Sequence, residues 1–422
     1  MKIQMEIGDQ IQYLAKEYND NTIRFLIRYP ERIKVDLLEK AVKSIVQRVE
    51  ILHSSFYANS FGTKWIVNQE YPENELLVTE NIDGDVWEHA QKASLQAINY
   101  GGEIQLKCFL FQNATESAFV VLVGHMCCDG RDAVYLVKKI IELYNQLLTE
   151  ENTEAVKIKS GSRLLNQCYN GDKEMLTFDL NQIKREKSEE IKSCYQFVSA
   201  EKGKACLIMH RLSSDDIARC RKFVEHATVN DVILAAYFRA YVKRMNLSNY
   251  NPVGIASMMD LRRYIEGGDS AGVTNMSGPI NINLFNGIGD DFGETLKRVV
   301  EQTKASKENE KAGLEFTLAV RKIFKIVPFP VITAIGKKIY RNMSIGLTNI
   351  GNLKNSELKM GDALPETLCF AGPVKKKPAL QICASGLDGE VCLSIASECT
   401  IEDKKQLKEL LDMITLEIKS IA

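Results

Sequence analysis

The sequence has almost no net charge, no paired-cysteine spacing and no apolar run of membrane length, and each absence removes a class of function. Its 54 Lys and Arg stand against 55 Asp and Glu, a formal net charge of −1, so it carries no electrostatic footprint for nucleic acid or an anionic membrane. The one compact cationic run, Lys375-Lys376-Lys377, reads as a solvated loop. Eleven cysteines are an odd number with no CxxC pair. Cys108, Cys206, Cys383 and Cys392 lie in apolar, strand-like runs, the pattern of reduced, buried thiols. The longest apolar stretch, residues 326–335 (IVPFPVITAI), contains Pro328 and Pro330 and is too short to span a bilayer. The opening MKIQMEIGDQIQYLAKEY carries acidic residues and no continuous apolar core, so the expectation is no signal peptide and a cytoplasmic protein. The glycine pairs Gly267-Gly268 and Gly287 with Gly289 lack the strand–glycine–helix context of a nucleotide site.

What is present is length and alternation. A chain of 422 residues, 45% hydrophobic, can bury a large core, and its length favours two domains. Residues 22–29 (TIRFLIRY) read as a strand, followed by a helix over 37–49 capped by Asp36. Residues 105–112 and 117–123 read as a strand pair. The second half opens in the same way: a strand at 205–212, helices at 216–224 and 229–245, a hairpin around Leu387-Asp388-Gly389, and a closing amphipathic helix at 402–421. Such alternation predicts an α/β or α+β layered fold. A stretch rich in Glu, Lys, Asn and Gly divides the halves, giving an N-terminal lobe over 1–165, a crossover over 166–190 and a C-terminal lobe over 191–422.

The segment with the most chemistry in it is 120–130, VVLVGHMCCDG. A buried-strand run stops at Gly124, His125 follows, Asp129 stands four residues on, and Gly130 permits a turn into a helix over 132–148. Apolar neighbours favour a neutral imidazole, the state a general base requires. Asp129 either contacts the ring, as in a hydrolase triad, or turns away and braces the loop through an arginine. The plain alternative for His125 is a core-edge histidine satisfied by backbone. His125 with Cys127 and Cys128 lacks a second ligand pair for a metal site, so no metal is expected. A redox role for vicinal Cys127-Cys128, or Cys127 as a nucleophile, is a lesser reading.

Gly124-His125-Met126-Cys127-Cys128-Asp129-Gly130 resembles the HxxxDG motif of the CoA-dependent acyltransferase superfamily, which includes chloramphenicol acetyltransferase, plant BAHD acyltransferases, wax ester synthases and condensation domains of nonribosomal peptide synthetases. Other segments follow in that superfamily's order. Residues 37–56, with Arg48, Leu52 and Phe56 and with His53 where an arginine is common, resemble its early helix and strand. Thr228-Val229-Asn230-Asp231 with Ala235-Ala236 resembles its T-x-N-D helix, and Asp260-Leu261-Arg262 its D-x-R segment. Asn275 with Gly278-Pro279 resembles the loop that follows, and Thr348-Asn349-Ile350-Gly351 its S/T-N-x-G turn. The resemblance implies two chloramphenicol-acetyltransferase-like lobes, each a mixed sheet flanked by helices, with a tunnel between them. It implies His125 as general base and Asp129 as a structural residue paired with Arg262, with Arg24 and Arg28 as competing partners. Gly130, Thr348 and Asn349 are placed at the substrate, either of the last two near a developing oxyanion. The implied donor is acyl-CoA or an acyl carrier protein and the acceptor a small hydroxyl or amine compound, with no permanently bound cofactor and a monomeric chain. A carrier-dependent condensation-type enzyme and a catalytically retired binding protein are the competing readings. Two departures matter. Gly124 replaces the first histidine of HHxxxDG, which points away from peptide condensation, and Cys369-Phe370-Ala371-Gly372-Pro373 stands where BAHD enzymes carry D-F-G-W-G.

Overall fold

The computed structural model describes residues 2–3, 5–59, 62–150, 152–169, 191–266, 271–340 and 345–420. Most of the expected crossover and the pair Gly267-Gly268 therefore lie outside the described residues. The first half runs β1 (Lys2–Ile3), α1 (Ile7–Ala15), β2 (Thr22–Tyr29), α2 (Val35–Arg48), β3 (Ser54–Asn59), β4 (Gly62–Val67), β5 (Leu77–Asn81), α3 (Val86–Ser94), β6 (Leu106–Gln112), β7 (Ser117–Gly124) and α4 (Gly130–Thr149). The second runs β8 (Lys204–Leu212), α5 (Ser214–Arg221), α6 (Val229–Arg244), β9 (Val253–Asp260), β10 (Ser277–Leu284), α7 (Phe292–Glu308), α8 (Leu314–Ile326), α9 (Phe329–Tyr340), β11 (Gly346–Leu353), β12 (Thr367–Ala371), β13 (Gln381–Leu387), β14 (Glu390–Cys399) and α10 (Ile401–Lys419).

Two mixed sheets organise these elements, one ordered β12-β2-β7-β6-β5 and the other β10-β9-β11-β13-β14-β8, with a small β1-β4-β3 sheet beside the first. β2 and β7 pair antiparallel from Thr22↔Gly124 to Tyr29↔Ser117. Both faces of this pair are covered, so the strands read as nearly continuous apolar runs. Strand geometry sends alternate residues to opposite faces. Ile23, Phe25, Ile27 and Tyr29, with Phe119, Val121 and Val123, join the cluster containing Leu38, Val42 and Ile45 of α2 and Leu136 and Ile140 of α4. Leu26, Val120 and Leu122 face the other way and share a cluster with Leu207 of β8 and with Cys392 and Ala396 of β14. That shared cluster welds one sheet to the other. On the far side of the second sheet, α6 is buried almost all round against α7 and α10. Its start is fixed by a capping box, in which Thr228 Oγ1 accepts from Asp231 N at 3.2 Å and Asp231 Oδ2 from Thr228 N at 2.8 Å.

Several expectations need correction. β12, from the second half, pairs antiparallel with β2 from Thr367↔Arg28 to Ala371↔Arg24, so the first sheet is completed by a strand from the second half. Asp36 lies within the first turn of α2 rather than capping it; Lys34 holds the N-cap and makes no side-chain bond. Cys206 is not a free thiol. Antiparallel pairing of β8 with β14 brings it to Cys399, 193 residues away, at a Cα–Cα distance of 6.7 Å, and the two are bonded. Cys108, Cys383 and Cys392 are free and buried. The lysine run is not a solvated loop. Lys375 N–H donates to Ala396 O at 3.0 Å, and the Lys377 ammonium donates to Ser199 O at 2.7 Å, Glu201 O at 2.8 Å and the Asp403 carboxylate. The apolar 326–335 stretch is divided between α8 and α9, where Phe329 stacks on Tyr13 of α1 with ring centroids 5.7 Å apart.

Candidate active site

β7 delivers His125 to the edge of the first sheet. Gly124 N–H donates to Gln105 O at 2.8 Å and His125 N–H to Asn21 O at 2.7 Å, so the chain is pinned on both sides of the histidine. The ring folds back over its own loop, with Nδ1 lying 2.9 Å from Cys128 O. A carbonyl oxygen can only accept, so Nδ1 carries the hydrogen and Nε2 keeps the lone pair. Among the described residues Nε2 has no hydrogen-bond partner. Burial pulls the His125 pKa below its ordinary value, the Cys128 carbonyl opposes this, and the nearby Lys375 charge pulls it down further. The result is a neutral, oriented imidazole with its basic nitrogen available. From the opposite side Asn275 Nδ2 donates to His125 O and Met126 O, both at 3.0 Å, and to Asp9 Oδ1 at 3.2 Å. Asn275 thus clamps the peptide that carries the histidine, a role that the sequence pattern around it did not convey.

Asp129 turns away from the ring. Its carboxylate caps α4 by accepting from Asp132 N at 3.1 Å, and it accepts from Arg262 Nη1 at 2.8 Å and Met276 N at 2.7 Å. Arg262 Nη1 also donates to Asp260 Oδ1 at 3.0 Å, and Nη2 to Asp132 Oδ2 at 2.7 Å and Thr274 O at 3.0 Å. Lys159 pairs with Asp132, and Arg131 with Asp260. Three carboxylates therefore face three cations around the root of the HxxxDG loop. Burial alone would raise the Asp129 carboxyl, but the Arg262 guanidinium and the backbone donors bring it below its usual value. Asp132 goes the other way: burial and the Asp129 charge push it up, against Arg262 and Lys159. Arg24 and Arg28 are engaged elsewhere, Arg24 with Asp20 and Arg28 with Glu116. Asp132 is, with Lys159 and Arg131, a member of this cluster that sequence reading missed. Its only signal was its place three residues after Asp129, where an N-cap's partner falls.

Gly124 has a local physical reason. A Cβ there would lie 2.7 Å from Gln105 Oε1, and the Gln105 amide is held by Nε2 bonds to Ser54 O at 2.9 Å, Tyr100 O at 3.2 Å and Gly102 O at 3.3 Å. Gly124→His is expected to destabilise the protein by about 1–3 kcal/mol, read from the urea midpoint, because this amide cannot swing aside. Adding Gln105→Ala should recover part of the loss. The turn expected at Gly130 is absent. Gly130 is the first residue of α4, its φ is not positive, and a Cβ would meet Ile350 and Phe370 at ordinary distances of 3.5 and 3.6 Å. Gly130 is therefore packed where β11 and β12 approach α4.

Thr348 and Asn349 both lie on β11, half-buried, and are used differently. Thr348 Oγ1 accepts from Gln381 Nε2, which leaves its own O–H to donate. Asn349 Oδ1 accepts from Gly351 N at 2.8 Å and its Nδ2 reaches Asn230 Oδ1 at 3.5 Å, so its amide serves the turn. His53, in the position where an arginine is common, bonds Asn68 O at 2.8 Å and packs on Tyr71. Cys127 and Cys128 are both buried. Cys127 Sγ donates to Gly124 O at 3.0 Å, and the neighbouring Cys127 with burial drives the Cys128 thiol well above its usual pKa. The Cys127 S–H is engaged by a backbone carbonyl and the Cys128 thiol is held protonated, so the local geometry lends no support to the nucleophile and redox readings.

A cavity of about 400 Å³ opens beside this loop, lined in part by Lys16, Asp20, Asn21, Ile98, Tyr100 and Lys376. It shares Asn21 with the backbone that holds His125 and Ile98 with the packing around Gly124.

No protein-family profile matches the chain, and no curated protein matches it in sequence. Its fold is nevertheless shared with solved structures. The trichothecene 15-O-acetyltransferase of Fusarium sporotrichioides superposes with a TM-score of 0.72 at 10% identity, over 99% of this chain and 94% of that one. The first condensation domain of the CDA synthetase gives 0.71 at 13%, over 100% and 97%. The epimerization domain from the third module of tyrocidine synthetase B gives 0.69 at 15%, over 100% and 96%. At such identities the likeness establishes the fold alone: two mixed sheets flanked by helices, the architecture that these acetyltransferase, condensation and epimerization structures share.

Proposed function

We propose that this chain moves an acyl group from a thioester donor, acyl-CoA or an acyl carrier protein, to a hydroxyl or amine acceptor, with His125 as general base. The observation that carries the reading is the His125 ring itself: Nδ1 is tied to Cys128 O at 2.9 Å, and Nε2 is left as a lone pair in a setting that keeps the ring neutral. The acceptor's O–H or N–H gives its proton to Nε2 as its lone pair attacks the thioester carbonyl carbon. The C–S bond then breaks, and the departing sulfur takes the proton back from the imidazolium. Thr348 O–H, held by Gln381, is the better candidate than Asn349 for the transient oxyanion. Asp129 and Arg262 are positioning residues that fix the loop.

Because burial lowers the His125 pKa, the acid limb of the kcat/KM profile is expected below pH 6.5, the ordinary histidine value. Activity is full above that limb and is lost as pH falls through the folded-state pKa; a limb above pH 7 would contradict the reading.

The condensation and epimerization domains among the structural neighbours favour a carrier-borne donor as the second reading. One experiment separates the two. Thiol release is followed over a panel of acyl-CoAs with alcohol and amine acceptors, in parallel with acyl-loaded carrier proteins. Release from CoA supports the first reading, and transfer only from a carrier supports the second. Silence with both refutes acyl transfer.

A further inference from the structure

Every peptide carbonyl from His125 to Cys128 is held by a side chain. His125 O and Met126 O accept from Asn275 Nδ2, Cys128 O from the His125 ring, and Cys127 O from Arg163 Nη2 at 3.0 Å. Arg163 lies in the segment after α4, and its guanidinium is fixed in plane. Nε donates to Val273 O at 2.8 Å, while Nη1 and Nη2 donate to Asp9 Oδ2 and Oδ1, both at 3.1 Å. Asp9, on α1, is fully buried, and each of its oxygens accepts from a second donor as well. Oδ2 accepts from Trp65 Nε1 at 3.0 Å and Oδ1 from Asn275 Nδ2 at 3.2 Å. One carboxylate therefore orients both side chains that grip the loop, Arg163 on Cys127 O and Asn275 on the two carbonyls before it.

An ion pair in such a setting is a poor device for stability alone. Desolvation of the two charges offsets much of their attraction, and well-packed apolar residues of similar volume would hold the fold as well. What the pair supplies is direction, because a planar guanidinium with donors in fixed positions sets where Cys127 O lies. Cys127 O and Cys128 O belong to adjacent peptides, so a turn of the first carries into the second. Cys128 O is the acceptor that keeps the hydrogen on Nδ1. Without that acceptor the neutral imidazole exchanges between its two tautomers, and the one with hydrogen on Nε2 has no lone pair there to act as base. We propose that Arg163 and Asp9 are positioning residues for the general base, a second pair beside Arg262–Asp129 that sets the His125 tautomer through the carbonyls of its loop. The use of the base rests on the acyl-transfer reading, whereas the tautomer is a property of the ring and is measured without turnover.

The chain has five histidines, so His125 can be followed by NMR with nitrogen-labelled histidine, its signals assigned by their loss in His125→Ala. The wild type is expected to show hydrogen on Nδ1 and none on Nε2 at neutral pH. Arg163→Met is expected to give a mixture of both tautomers and to lower kcat by about 10²-fold, with KM changed by less than about two-fold. Arg163→Lys and Asp9→Asn keep part of the bonding and should fall between on both readouts. Arg239→Met is the matched control, since it breaks a pair of similar burial, Arg239–Glu417, between α6 and α10. It should lower the urea midpoint and leave the tautomer and kcat as in the wild type. Hydrogen kept on Nδ1 alone in every folded site variant overturns the proposal, whatever happens to turnover. So does a shifted tautomer with unchanged kcat, or a shift in Arg239→Met equal to that in Arg163→Met. Unfolding of all three site variants beside a folded Arg239→Met makes the pair a structural tie and overturns it as well. Tautomer shifts in the site variants, with no turnover of any donor by the wild type, support the hold on the ring and refute acyl transfer.

Discussion

Alanine at His125 is expected to leave the fold and its urea midpoint nearly unchanged while lowering thiol release by about 10²–10⁴-fold, the range that a positioned general base supplies. The stability part follows from the ring's bonding: among the described residues its one hydrogen bond is to a carbonyl of its own loop, and the loop is held by the backbone bonds to Asn21 and the Asn275 clamp rather than by the imidazole. The activity part follows from Nε2 being the only oriented base that the loop offers. Cys127 and Cys128 are buried as thiols, and the Asp129 carboxylate is consumed by Arg262 and two backbone donors. Turnover unchanged in His125→Ala would remove the general-base assignment outright. A loss of activity accompanied by unfolding would mean that the ring has a structural role this geometry does not give it.

Arg262→Met is expected to be the most destabilising single change near the site, by about 3–5 kcal/mol, because it strips the guanidinium from two carboxylates inside the protein. Asp129 and Asp132 are both buried, and with Arg262 gone the cation still paired with them among the described residues is Lys159, on Asp132. The pH dependence has a definite sign. Unpaired buried carboxyls titrate above their unfolded values, so protonation favours the folded state, and the deficit relative to wild type should shrink as pH falls from 7 towards 5. Arg262→Met combined with Asp129→Asn should recover part of the loss even at pH 7, since one of the stranded charges is then removed. Urea denaturation of the four proteins of this cycle at both pH values tests it. A deficit that does not change with pH would assign the effect to lost packing rather than to stranded charge.

The site's chemistry was readable one residue at a time, and its electrostatics were not. A strand ending in Gly-His followed by Asp at i+4 and a helix is a local pattern, and local patterns survive in one dimension because strand and helix periods are written in adjacent residues. The strands at 22–29 and 117–123 and the helix at 229–245 were legible for that reason. The role of Asn275 was not, because its amide acts on peptide carbonyls 149 and 150 residues away. The lysine run misled for a related cause. Three consecutive lysines look solvated unless the chain around them crosses between two sheets, and here it does.

By itself the sequence determined the alternation of strands and helices, the placement of His125 at a strand end and the order of segments that resembles an acyltransferase. Only the tertiary structure decided that Asp129 belongs to Arg262 rather than to the ring, that β12 completes the first half's sheet, and that Cys206 meets Cys399. The division is physical. Propensity and periodicity act between neighbours, whereas counter-ions, bonded sulfurs and sheet edges depend on which distant segments share a volume, and that is fixed only when the two sheets close on their common core.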